Sequence, residues 1–250
     1  LHSTYKWNLF LKKIILNIER KIGISAKVHL IPGVSRDYTG SDNVFVVENM
    51  PSSVLFKKAY DLFLDRKRDY PELITRNVVY INGWLKPTRG LLHIKNFLES
   101  RIRDDVIVII AGSISDDINK IVEKNDSVIY LGNLSSIESL SYYFFSDVVV
   151  SLYDPSIDIN IKAEPNKWWD CTVTKTPFIT NYGIETVKNF DEIVDYYLID
   201  YSQENSLVKL FDKFVFQAKE TGLFNKEGEA VLWDDKMKNV INFFLDDLNV

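Results

Sequence analysis

The run Val106-Ile107-Val108-Ile109-Ile110-Ala111 is apolar at every position. It is far shorter than the ~20 residues that a membrane-spanning helix needs. An uninterrupted apolar run of this length reads as a strand covered on both faces. On either side the same grammar repeats: a strand at Val78 to Asn82, a helix at Gly90 to Glu99, then, after Ala111, a helix at Asp116 to Lys124 and a strand at Ser127 to Leu131. Further on come a helix at Ser136 to Phe145, a strand at Asp147 to Leu152, a helix at Pro165 to Val173 and a strand at Phe178 to Asn181. Apolar strands alternating with helices predict an α/β fold, a doubly wound parallel sheet of Rossmann-like type. In the common strand order 3-2-1-4-5-6 the first strand lies beside the fourth, and ligands bind between their carboxyl ends.

Two stretches converge on that crevice. One is the loop after the first strand, Gly83-Trp84-Leu85-Lys86-Pro87-Thr88-Arg89-Gly90; the other follows the fourth strand and runs into Pro165-Asn166-Lys167-Trp168-Trp169-Asp170. Pro165 suits the first residue of a helix, where an N–H is free in any case. A helix N-terminus offers unpaired amides and partial positive charge, which favour an anion. Lys167 would add charge for a diphosphate, and Asp170 could accept hydrogen bonds from a ribose diol. The plain alternative is an ordinary α/β helix with a proline cap and two core tryptophans.

Pro165-Asn166-Lys167, the bulky Trp168 and Trp169, the acid Asp170, a few small residues and then Thr176-Pro177-Phe178-Ile179-Thr180 resemble the signature of retaining glycosyltransferases of family 4 and their relatives, which have the GT-B fold. The resemblance implies that Asp170, where the family usually has Glu, binds the ribose. Many members carry a second Glu eight residues earlier, where this chain has Lys162, with Glu164 nearby. The loop Gly83 to Gly90 resembles the family's Gly-x-Leu…Lys/Arg-Gly turn, which places Arg89 on the donor diphosphate; a guanidinium can hold two phosphate oxygens at once. The family's earlier Arg is replaced by Trp84, with Lys86 close by. By the same resemblance Gly132-Asn133, after the third strand, offers backbone groups to the nucleobase. Tyr153-Asp154-Pro155 and Asp158-Ile159-Asn160 would shape the sugar pocket.

Toward the N-terminus, Trp7 to Ile24 has the apolar spacing of an amphipathic helix with a basic polar face, and Lys27 to Pro32 and Asn43 to Glu48 read as strands. The second strand ends in Asn49-Met50-Pro51, similar to the last pieces of a GT-B N-terminal domain. Ser53 to Tyr70 reads as a charged helix or linker. Glu204 to Glu220 and Asp234 to Leu248 read as helices, the last similar to the helix that crosses back in GT-B enzymes. The expected division is 1–55 as a remnant of an acceptor-side domain, 56–75 as a linker or helix, 76–232 as the nucleotide-sugar-binding domain and 233–250 as the crossover helix. A start at Leu1 with no leader-like segment is expected of a chain cut from something longer.

Composition narrows the partners. A net charge of −5 argues against sequence-independent nucleic-acid binding, which needs a basic face. The single Cys171 excludes a disulfide framework within the chain and fits a reducing compartment, so the expected location is the cytoplasm, at the inner membrane face at most. The basic amphipathic helix could lie on a membrane, although packing against a core is the commoner use. With His2, His29 and His93 scattered and no Asp-x-Asp anywhere, no metal site is expected. No phosphate-loop Gly-Lys-Ser/Thr, no Gly-x-Ser-x-Gly and no Gly-x-Gly-x-x-Gly occurs either.

The resemblance thus implies a metal-independent, retaining glycosyltransferase, with a nucleotide-diphosphate sugar as donor substrate and no cofactor. A glycan or lipid-linked acceptor and a place in bacterial surface polysaccharide synthesis would go with it. Charge stabilisation falls to Arg89 and Lys167, and the remaining contacts to Gly83, Gly132, Asn133, Pro165, Asn166 and Asp170. Catalytic residues are unassigned, because the family's catalytic histidine belongs to the other domain. Apolar faces left by an absent domain would favour self-association. The alternatives are a nucleotide-sugar epimerase of the same fold and a non-catalytic nucleotide-binding module.

Overall fold

The computed structural model describes residues 28–33, 44–100, 102–216 and 231–248, together with Ile14, Asn17, Ile18 and Lys21 as helical positions. Apart from those four positions, the amphipathic helix expected over Trp7 to Ile24 lies outside the described residues. The chain divides into two compact units, Leu1–Asn49 with Trp233–Val250, and Met50–Leu232. In the first, strands β1 (His29–Ile31) and β2 (Val44–Val46) pair in parallel, with Leu30 opposite Phe45.

The second unit holds a parallel six-stranded sheet. Its strands are β3 (Asn77–Asn82), β4 (Val106–Ala111), β5 (Val128–Tyr130), β6 (Val148–Val150), β7 (Phe178–Asn181) and β8 (Tyr196–Ile199), in spatial order β5-β4-β3-β6-β7-β8. Numbered within the unit, this is 3-2-1-4-5-6, the order expected from the sequence. Helices α1 (Ser53–Asp69), α2 (Glu72–Thr75), α3 (Leu91–Glu99), α4 (Asp116–Val122), α5 (Ser136–Tyr143), α6 (Asp158–Ile161), α7 (Asn166–Thr174) and α8 (Ser206–Phe211) connect and flank the strands.

The apolar runs are apolar because successive residues feed different layers. Val78 and Tyr80 of β3, with Ile107 and Ile109 of β4, pack with Ala59 and Phe63 of α1, Tyr143 of α5 and Trp168 of α7. Val79 and Ile81, with Val108 and Ile110, pack on the other face with Ile94 and Phe97 of α3, Ile118 of α4 and Phe211 of α8. On the first face Trp168 has no exposed surface and stacks on Phe178 at 5.1 Å between ring centroids.

Several boundaries differ from the sequence reading. Pro165 is the N-cap of α7, in extended conformation (φ −70°, ψ 141°), rather than its first helical residue. Its carbonyl accepts from the Trp168 amide at 3.0 Å, so the proline starts the helix from one position further out. Gly90 is likewise a cap: a 3-10 turn, Pro87–Arg89, precedes it, and α3 starts at Leu91. Of the two readings of Ser53 to Tyr70, helix or linker, the structure has the helix, Ser53–Asp69, with the Ser52 hydroxyl accepting from the Leu55 amide. The helix expected from Glu204 starts at Ser206 and stops at Phe211. Strand β8, the short α6 and the 3-10 segment Glu185–Phe190 were not expected.

Helix α9 (Trp233–Leu248) belongs to the first unit, where Phe243 meets Phe45 edge-on at 5.1 Å and Lys236 pairs with Glu48 at 3.0 Å.

The carboxyl ends of β3, β4 and β5 are drawn together by backbone contacts: the Gly83 amide donates to Ala111 at 2.8 Å and the Gly112 amide to Gly132 at 2.7 Å. Gly112 has φ +110°, and a Cβ there would stand 2.1 Å from the Gly83 carbonyl oxygen. Gly132 has φ +67° with open space where its Cβ would be. Both positions penalise a side chain through backbone strain, but only Gly112 adds a collision with backbone that cannot rotate away. Gly112→Ala is therefore expected to destabilise the fold by about 1–3 kcal/mol more than Gly132→Ala, read from urea unfolding of the two variants; equal losses would show that the two loops are free to separate.

Candidate functional site

The polar residues of the crevice sit where the apolar strands end. Asn82 closes β3 and is buried; its side-chain amide donates to the Ser139 hydroxyl at 3.1 Å and the Tyr143 hydroxyl at 3.0 Å. Tyr80, two residues earlier on the same face, meets Ser139 at 3.1 Å. From the neighbouring helix, Lys167 donates through Nζ to the Asn82 carbonyl. Gly83 makes room for that reach, since a Cβ there would lie 3.0 Å from the same Nζ. The first turn of α7 is thereby tied to the end of β3.

Lys167 and Asp170, three residues apart, share one face of α7. The N-terminus of α7 has no side-chain cap, and Asn166 is exposed at it. Burial pushes the Asp170 carboxyl up to about 7, against the opposing pull of the Tyr143 hydroxyl and the Lys167 charge. Burial also brings the Lys167 ammonium down to about 8, and the nearby Arg89 charge pushes in the same direction. Tyr143 stays protonated, pushed well up by its burial.

Arg89 ends the 3-10 turn after β3. Its guanidinium lies over the Tyr153 ring, 4.3 Å from the centroid. Tyr153 is in turn fixed by Asn181 at the end of β7, whose side-chain oxygen accepts from the Tyr153 amide and whose nitrogen donates to its carbonyl, both at 2.9 Å. Lys86 does not join this group: its ammonium lies over the ring of the exposed Trp84.

Gly83, Arg89, Lys167 and Asp170 are thus gathered around the carboxyl ends of β3 and β6, with Pro165 and Asn166 at the start of α7. Gly132 and Asn133 stand apart at the end of β5, next to β4; Gly132 receives the Gly112 amide and Asn133 is exposed. At the position of the family's first carboxylate, Lys162 is exposed, and Glu164 accepts from the Asn189 side chain at 2.9 Å. The sequence reading missed Tyr143 and Asn181 as members of the site, and included Asn82 only as the start of the Asn82 to Gly90 block. The one available signal for Asn181 was an asparagine at the carboxyl end of a strand, the place that Asn82 holds on β3. Among the described residues no group of three or more His, Cys, Asp or Glu side chains could hold a metal, and no helix is long and apolar enough to cross a membrane.

No family model matches the chain, and no curated protein matches it in sequence. Solved structures do match it in fold. A glycosyltransferase from Rickettsia africae superposes with a TM-score of 0.54 at 15% identity, over 78% of this chain and 56% of that one. An α,α-trehalose-phosphate synthase (UDP-forming) from Burkholderia vietnamiensis gives 0.54 at 9% identity, over 93% and 61%. Sucrose-phosphate synthase from Thermosynechococcus elongatus gives 0.51 at 16%, over 80% and 52%. The chain spans little more than half the length of these structures. Its doubly wound, Rossmann-like fold is that of GT-B glycosyltransferases.

The Asp170 carboxyl holds its proton in the folded chain at pH values where the unfolded chain has released it. Its favourable contribution to stability is present in full below about pH 4 and is lost as pH rises to about 7. Asp170→Asn stays neutral throughout. The stability of this variant relative to the parent is therefore expected to rise between about pH 4 and 7 and level off above, read from urea unfolding at several pH values. A difference that does not change with pH would contradict the burial of this carboxyl.

Proposed function

We propose that the chain is the donor-binding half of a retaining, metal-independent glycosyltransferase that takes its sugar from a nucleotide diphosphate. One observation carries the reading. Arg89, on the 3-10 turn after β3, and Lys167, in the first turn of the uncapped α7 and tied to the Asn82 carbonyl, bring like charges to one crevice, and the Arg89 charge adds to burial in lowering the Lys167 ammonium. Two like charges brought to one crevice beside a helix N-terminus gain from an anion that bridges them. Departure of a nucleoside diphosphate from a sugar builds negative charge there, which preorganised donors stabilise without a metal. Asp170, one turn further along α7, would take the ribose hydroxyls, and Gly132-Asn133 would approach the base.

The match of Pro165 to Thr180 to the family 4 signature supports a retaining mechanism and a hexose-like sugar. A glycan or lipid-linked acceptor, in surface polysaccharide synthesis in the cytoplasm, completes the proposal. The Burkholderia vietnamiensis neighbour is named as UDP-forming, which makes uridine diphosphate the first nucleotide to test. One observation favours a second reading, a nucleotide-binding module without transfer: an exposed lysine, Lys162, stands where many family members have a carboxylate, and Glu164 is engaged by Asn189. Assayed on the longest native form of the chain, release or transfer of sugar from a nucleotide-sugar donor supports the enzyme; tight binding with no turnover there supports the module.

Titration calorimetry with uridine, guanosine and cytidine diphosphates and the parent nucleosides tests the site. Arg89→Ala is expected to weaken diphosphate binding by about 1.5–3 kcal/mol and leave nucleoside binding nearly unchanged; parallel losses would remove Arg89 from the phosphate site. Diphosphate binding should also raise the Lys167 ammonium from about 8, so that protons are taken up on binding and affinity falls as pH rises through about 8. Calorimetry in buffers of different ionisation heat measures that uptake, and its absence at pH 8 would mean that Lys167 does not meet the phosphates.

A further inference from the structure

Arg89 sits on a three-residue turn, and a short turn after a strand has no rigidity of its own. The turn is held from two sides. From the loop after β6, the Asp154 amide donates to the Thr88 carbonyl at 3.2 Å. From the far edge of the sheet, the Tyr201 hydroxyl accepts from the Gly90 amide at 3.2 Å and donates to the Pro87 carbonyl at 3.1 Å, so that one atom spans the turn from first residue to cap.

Tyr201 follows β8, which is separated from β3 by β6 and β7. It reaches the turn because its own loop is docked on α3. The Tyr201 ring packs on the buried His93 at 4.7 Å between centroids, the Asn96 side chain donates to the Glu204 carbonyl at 3.3 Å and meets the Asn205 side chain at 3.2 Å, and Phe97 stacks on Phe211 at 4.4 Å. Gly90 must be the cap: it has φ +73°, and a Cβ would meet the Leu152 side chain at 2.6 Å. The amide that Tyr201 receives is therefore on the one residue that joins the Arg89 turn to α3. Partial burial pushes the hydroxyl up from its ordinary range, so it keeps the proton that it donates to Pro87.

We infer that Tyr201 is a positioning residue for anion binding, setting the Pro87–Gly90 turn so that Arg89 meets the diphosphate while Tyr153 fixes the plane of its guanidinium. The inference rests on the donor-site reading above and adds to it a residue from a loop that the family signature does not include.

Tyr201→Phe removes the hydroxyl and keeps the ring on His93. The expected result is a loss of about 3- to 10-fold in affinity for uridine diphosphate, with uridine affinity nearly unchanged, as for removal of one hydrogen-bonding group that acts through another. A purely structural role would lower the affinity for both ligands together, and that outcome overturns the inference. Amide hydrogen exchange supplies a reading that does not depend on the variant folding: the Gly90 amide of the unaltered chain should be protected, and free exchange there overturns the inference. Unaltered diphosphate affinity in a folded Tyr201→Phe, alongside the expected loss in Arg89→Ala, would leave the donor site standing and remove Tyr201 from it. No diphosphate binding by the unaltered chain would remove both.

Discussion

A parallel sheet covered on both faces penalises an unpaired polar group along its strands, and this constraint shapes the unit Met50–Leu232, where, among the described residues, the buried Thr180 hydroxyl of β7 is an exception. Along β3 and β4 each residue goes to one layer or the other, Val78 and Tyr80 to the side of α1, α5 and α7, Val79 and Ile81 to the side of α3, α4 and α8. Polar chemistry is displaced to the carboxyl ends. There Asn82 and Asn181 close their strands and spend their side chains on Tyr143 and Tyr153. The buried tyrosine of the first pair faces Asp170, and the tyrosine of the second carries Arg89.

The electrostatics follow from that placement. A carboxyl and an ammonium at the edge of an apolar core are each pushed toward neutrality by burial, Asp170 upward and Lys167 downward. Their mutual attraction opposes the push without cancelling it, and Arg89 weighs against Lys167. The crevice thus holds an excess of positive charge near a helix start, although the chain as a whole is acidic. Net charge describes the surface; the crevice is governed by which few cations the strand ends bring together.

The sheet, apart from β8, was legible because its strands are mostly apolar runs, β4 at every position, and helices fall at regular intervals between them; the strand order then followed from the common doubly wound pattern. Arg89 and Lys167 were legible because each lies near a residue with backbone meaning, Arg89 next to Gly90 and Lys167 two residues after Pro165. What stayed hidden depends on proximity in space. Tyr201 lies 111 residues from Gly90, and nothing in its local sequence distinguishes it from the other tyrosines. Strand β8 escaped because it is short, lies at the sheet edge and buries only Ile199 fully. The N-cap position of Pro165 is a displacement by one residue, within the latitude of any reading of helix starts.

The central claim is that the crevice between the ends of β3 and β6 binds a nucleoside diphosphate through Arg89, Lys167 and the start of α7. A crystal structure of the chain with uridine diphosphate tests it most directly. The account predicts that both phosphates lie between the Gly83–Gly90 loop and the first turn of α7, with Lys167 turned from the Asn82 carbonyl toward the phosphate and a ribose hydroxyl on Asp170. A diphosphate bound elsewhere, or Lys167 still on Asn82 with the phosphates out of reach of Arg89, would contradict it.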